Sequence, residues 1–143
     1  MSAQALRVVP ARGFTLVELC VVLAVAGVLA TVAWPSLQAQ LQRGRRADAV
    51  AALLRVQLAQ ENYRSHHGLY ASQLGVLVGA AAPRSSEGLY DIELLGTGGE
   101  RYEARATARA GSVVAGDAGC TVLSLQVRDG LAEFAPSPRC WNR

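Results

Sequence analysis

The chemistry available to this 143-residue chain is concentrated in few places: a lone carboxylate, Glu18, within an apolar run; three cysteines, Cys20, Cys120 and Cys140; the adjacent His66 and His67; and an arginine cluster, Arg43, Arg45 and Arg46. The cysteines lack the clustered Cys and His spacing of a zinc site. Cys20 sits among apolar residues and reads as a small hydrophobe. Cys120 and Cys140 flank the last segment and form the natural pair, which requires an oxidising compartment. Neighbouring histidines on a helix point about 100° apart, so His66 and His67 do not ligate one metal in the usual i, i+4 manner. They read as exposed helix-end residues. No Ser, Cys or carboxylate near them has the spacing of a nucleophile with its base. No enzyme, metal or cofactor is expected.

The elements that position these groups begin with Phe14 to Trp34, FTLVELCVVLAVAGVLATVAW, whose only charge is Glu18. As a helix of 1.5 Å rise this run is about 31 Å long, enough for a hydrocarbon core of roughly 30 Å. Arg7 and Arg12 precede it without any acid, so the positive-inside bias leaves the start of the chain in the cytoplasm and the remainder outside. A secretory signal cut after Thr31-Val32-Ala33 is the rival reading. Glu18 argues against it, because an acid near the middle of an inserting helix costs roughly 2.5 to 3.5 kcal/mol and an ordinary signal gains nothing from one.

Hydrophobic residues make up 51% and charged residues 17% of the chain, a tilt that one such span explains. Beyond Pro35 the sequence stays rich in Ala, Leu, Gln and Arg, and Ala47, Val50, Ala51, Leu54 and Leu58 fall on one helical stripe, with Arg46, Gln57 and Arg64 elsewhere on the wheel. The spacing predicts a helix from Phe14 to about His67, with Gly68 as its stop. Its outer half should pack on a head domain. Tyr90 to Leu94 and Tyr102 to Thr107 alternate around Gly98-Gly99. Leu123, Leu125 and Val127 alternate before Asp129-Gly130 and Leu131 to Phe134. The expected fold class is therefore α+β: a long helix on a small antiparallel four-stranded sheet, joined by a loop between Tyr70 and Ser86. A head of about 75 residues is marginal without a staple, and closing Cys120 to Cys140 would contribute about 3 kcal/mol in the chain-entropy model.

Read as one unit, Gly13-Phe14-Thr15-Leu16-Val17-Glu18-Leu19 resembles the processing motif of type IV pilins. The resemblance implies that a prepilin peptidase removes residues 1–13 by cutting between Gly13 and Phe14, and that Phe14 is then N-methylated. It further implies that Glu18 serves assembly, and that Gly27 and Pro35 are the two places where the helix weakens in a filament. The carboxy-terminal disulfide loop is similar to that of the same family. Pro138-Arg139-Cys140-Trp141 and the run from Glu61 to Tyr70 look most like minor pilins of the PilE-like group. The expected organisation is a leader over 1–13, a transmembrane half-helix over 14–34, an amphipathic half over 35–67 and a sheet head over 68–143.

The amine of Phe14 would be cationic near neutral pH, methylated or not, and Glu18 lies one helical turn away. Across helices the same pair sets axial register, since breaking a desolvated ion pair costs about 3–5 kcal/mol. The function expected from the resemblance is a structural pilus subunit, first in the inner membrane and then on the cell surface. Its partners would be other pilin subunits, the peptidase, the inner-membrane assembly machinery and, before assembly, lipid. The alternatives are a pseudopilin of a type II secretion system, which usually lacks the disulfide loop, and a secreted or membrane-anchored binding domain. Arg43, Arg45 and Arg46 could meet lipid head groups, acidic neighbours or DNA phosphates. Removing residues 1–13 with their two arginines lowers the charge from +3 to +1, too little for a dedicated basic stripe.

Overall fold

The computed structural model describes residues 13–79 and 84–143; Arg7, Arg12 and most of the expected leader, and Ala80 to Pro83 of the expected connecting loop, lie outside the described residues. In chain order the elements are α1 (Leu16–His67), α2 (Leu74–Val78), β1 (Tyr90–Gly98), β2 (Arg101–Ala108), β3 (Val122–Arg128), β4 (Leu131–Ala135) and a 3-10 turn at Pro138–Trp141. The chain divides into two compact units between Leu37 and Gln38.

The first unit is the beginning of α1, and its apolar side chains from Leu16 to Val32 are exposed along the helix. A helix that is apolar all round does not stay bare in water and has to be covered by lipid or by other protein. Among the described residues it is the one helix long and apolar enough to cross a membrane. Pro35 lies inside α1, and the helix continues past both it and Gly27 in the isolated chain.

The second unit is a meander in the order β1-β2-β3-β4, every pair antiparallel. Alternation decides its faces: Tyr102, Ala104 and Ala106 of β2 and Leu123, Leu125 and Val127 of β3 point to one buried side. Asp129 and Gly130, both at positive φ, make the tight turn that brings Arg128 opposite Leu131. The first hairpin turns at Gly99-Glu100, one residue later than the Gly98-Gly99 expected, with an irregularity between Leu95 and Gly98.

The inner sheet face and α1 share one core, in which Ala49, Ala52, Leu53 and Val56 meet Ile92, Ala104, Leu123 and Leu125. The stripe expected to be buried is instead the opposite face: Ala47, Ala51, Leu54 and Leu58 are exposed, and Val50 is half-buried. Apolar spacing alone chose that face because it counted leucines. The buried face also contains Arg46, Asp48 and Gln60, whose partners lie far along the chain.

The helix ends where Gly68 takes positive φ and donates its N–H to the carbonyl of Arg64 at 2.8 Å. The fully buried Gln60 then fixes the exit, donating from Nε2 to the Ala71 carbonyl at 3.0 Å and accepting the Ala71 N–H on Oε1 at 2.8 Å. The expected loop between Tyr70 and Ser86 contains the five-residue helix α2, which sequence reading missed.

Candidate functional site

At the amino terminus, Thr15 caps α1: its Oγ1 accepts the N–H of Glu18 at 3.2 Å. Thr15-Leu16-Val17-Glu18 has the spacing of a capping box, a signal that the sequence reading passed over. Glu18 therefore sits in the first helical turn, where the unsatisfied N–H groups and the macrodipole favour a negative charge. Phe14, Glu18 and the apolar side chains after them are all exposed in the isolated chain. Nothing within the described residues of this unit covers them.

The second feature is the closure of the head. Cys120 and Cys140 form a disulfide with Cα atoms 5.4 Å apart, and Cys20 is free. The segment before Cys120 is a series of tight turns, from Ser112 N–H to Arg109 through Cys120 N–H to Asp117, each closing on the carbonyl three residues back. Asp117 on this segment receives Arg46 of α1 in a buried fork: Nε to Oδ2 at 2.5 Å and Nη2 to Oδ1 at 2.6 Å. The third guanidinium nitrogen donates to the carbonyl of Arg139 at 3.3 Å. One side chain thus holds both arms of the disulfide loop onto the helix. The hydrogen bond to Asp117 pushes the Arg46 pKa above the ordinary arginine value, more than burial lowers it.

Arg46 is consequently no member of an exposed Arg43, Arg45 and Arg46 cluster; it turns inward because a buried carboxylate 71 residues away accepts it. Sequence inspection had no means to pair them. After Cys140, Trp141 is buried, donates its indole N–H to Ala135 at 2.9 Å and packs edge-on to Phe134 with ring centroids 4.7 Å apart. Asn142 donates from its side chain to the carbonyl of Arg43 at 3.0 Å, tying the end of the chain to α1.

Two buried tyrosines complete the core. Burial drives the Tyr90 phenol up to about 12, with the Asp117 charge acting in the same direction. Burial likewise raises Tyr102, whose ring meets Tyr70 edge-on at 4.8 Å. His66 and His67 are exposed at the end of α1, with His67 stacked on Tyr63 at 4.0 Å.

Most of the chain matches known protein families. Residues 10–34 match the prokaryotic N-terminal methylation motif, and residues 35–124 match the family described as type IV minor pilin ComP, DNA uptake sequence receptor. The chain belongs to the type IV pilin family. It is 33% identical over 83 residues to the type IV major pilin protein PilE of Neisseria gonorrhoeae, covering 58% of this chain and 49% of that one. The fimbrial protein of Neisseria meningitidis serogroup A is also 33% identical, over 79 residues, covering 55% and 46%. This pilin therefore spans about half the length of the curated relatives it matches.

Proposed function

We propose that this pilin is a structural subunit of a type IV pilus, of the minor kind. It is inserted in the inner membrane, cut by a prepilin peptidase between Gly13 and Phe14, N-methylated on Phe14 and assembled helix to helix. The observation that carries the reading is the Gly13-Phe14 junction immediately before a helix whose large apolar side chains from Leu16 to Val32 are exposed, with Glu18 in its first turn. Lipid covers such a helix before assembly, and neighbouring helices cover it afterwards. Glu18 then meets the Phe14 amine of a neighbour, while Gly27 and Pro35 are the positions at which α1 gives way during packing. The exposed stripe of Ala47, Ala51, Leu54 and Leu58 on the second unit offers neighbouring subunits a further apolar contact. Its role is structural and not catalytic. Intact mass of the chain in sheared surface filaments tests this. A polypeptide starting at Phe14 and about one methyl heavier than the bare sequence is expected, and a product starting at Trp34 would refute it.

A second reading concerns what the assembled filament binds. The matched family is described as a DNA uptake sequence receptor, and Arg101 stands directly opposite Arg128 between β2 and β3. Like charges so placed repel unless an anion lies between them. With Glu103 and Gln126 among others they line an open recess of about 400 Å³, which we take as the place for a phosphate of duplex DNA. Retention of labelled duplex by the parent chain, lost in Arg101→Gln/Arg128→Gln, tests it; equal retention by both contradicts it.

A further inference from the structure

A different recess, formed between α1 and the carboxy-terminal turn, has a composition that assembly does not use. It measures about 430 Å³ and is lined by Arg43, Arg46, Arg139, Asn142 and Arg143 among others. Arg46 is neutralised by Asp117. Arg64, Arg84, Arg105 and Arg109 each have a carboxylate within 4.0 Å, whereas Arg101 and Arg128 on the sheet, like the remaining arginines of this recess, are paired with none. Among the described residues no Asp or Glu side chain pairs with Arg43, Arg139 or Arg143, so three arginines without an acidic side-chain partner line this recess.

The recess is also held in shape. Asn142 takes the left-handed conformation at the end of the 3-10 turn and donates to the Arg43 carbonyl, fixing the last turn against α1. Arg139 lends its carbonyl to Arg46 while its own side chain stays exposed. The Arg143 guanidinium lies over the Phe134 ring at 4.2 Å, a contact that limits where its charge can go. The disulfide at Cys140 anchors all three residues that follow it.

Arginines lining one concavity favour an oxyanion with several acceptor oxygens, above all a phosphate. The source of the phosphate follows from the chain itself. Arg43 is nine residues after Trp34, the aromatic residue closing the span, and nine residues reach at most about 30 Å however they are arranged. The tether keeps the recess within about 30 Å of the end of the apolar run, so lipid phosphates there would be offered to it at high effective concentration. We propose that this recess is a binding site for the phosphate of an anionic phospholipid, occupied while the subunit waits in the membrane. The inference rests on the membrane-anchored reading above.

Native mass spectrometry of the full chain in neutral detergent tests it, with phosphatidylglycerol, phosphatidylethanolamine and phosphatidylcholine offered at equal amounts. Phosphatidylglycerol adducts should exceed phosphatidylcholine adducts several-fold. That excess should vanish in Arg43→Gln/Arg139→Gln/Arg143→Gln and persist in Arg101→Gln/Arg128→Gln, which removes charge elsewhere. The single exposed variant Arg143→Gln, expected to lose part of the excess, covers the case in which the triple variant does not fold. Equal retention of all three lipids, or an excess untouched by the triple variant, overturns the site. Complete displacement by millimolar inorganic phosphate would make it a small-anion site, and loss of duplex DNA retention with lipid retention intact would assign it to nucleic acid; either overturns the lipid inference. A chain that inserts into nanodiscs yet holds no anionic lipid refutes this inference alone. One that does not insert refutes the membrane-anchored reading.

Discussion

The Arg46–Asp117 pair gives the sharpest expectation about stability. The two side chains are only 4% and 5% exposed, and the carboxylate takes both a 2.5 Å and a 2.6 Å bond from one guanidinium. Truncating either partner strands a charge where water cannot reach it, a loss of about 3–5 kcal/mol. For a folded unit of roughly 100 residues, each kcal/mol shifts the melting temperature by about 4–8 °C, so Asp117→Ala should melt at least about 12 °C below the parent. Arg46→Met should cost a similar amount by stranding Asp117. Replacing both together, Arg46→Met/Asp117→Leu, should recover most of the loss, because removing two charges also removes two desolvation penalties. The assay is thermal unfolding of the parent, both single variants and the double variant in one buffer, with the disulfide intact. Single-variant losses under about 1 kcal/mol, or strictly additive losses in the double variant, would refute the claim that this pair is buried and holds the disulfide loop to the helix.

Three further outcomes follow from particular side chains. Cys140→Ser should lower stability by about 2–4 kcal/mol, since the bridge closes a loop with a sequence separation of 20; thiol labelling of the folded parent without reductant should leave Cys120 and Cys140 unmodified. Tyr90 is held neutral in the fold up to about 12 while an unfolded tyrosine ionises near 10; its contribution is complete below about pH 10 and is lost as pH rises toward 12, which denaturant titrations with tyrosinate absorbance should show as falling stability over that window. Leu58→Ser should leave the melting temperature within about 2 °C of the parent, because the side chain is 72% exposed, yet reduce recovery in sheared filaments if the stripe of Leu54 and Leu58 meets neighbouring subunits.

The strands, the Asp129-Gly130 turn and the Gly68 stop were legible in the sequence because each depends on alternation, turn chemistry or φ preference within a few residues. The motif from Gly13 to Leu19 was legible through its resemblance to that of type IV pilins. The buried face of α1 was not. Its identity depends on Gln60 meeting the Ala71 backbone and on Arg46 meeting Asp117, contacts that span 11 and 71 residues. A helix with apolar residues on two faces offers no local rule for choosing between them, and the leucine-rich face proved to be the exposed one. Thr15 shows the opposite case, a local capping signal that was present but overshadowed by the processing motif it belongs to. The arginine recess was half visible: Arg43 could be read beside the span, whereas Arg139 and Arg143 join it only through the 3-10 turn and the disulfide.

The central claim is that Glu18 serves the packing of subunits and not the making of the subunit. Its hydrogen-bonding role in the isolated chain is slight, since its backbone N–H, present in any residue, is what Thr15 caps. Co-expression of the parent and Glu18→Ala, distinguished by mass, measures both populations in the membrane and in sheared filaments from one culture. The account predicts equal, fully processed amounts in the membrane and a several-fold depletion of Glu18→Ala in the filaments. Equal incorporation of the two chains, or absence of both from the filament fraction, would contradict it.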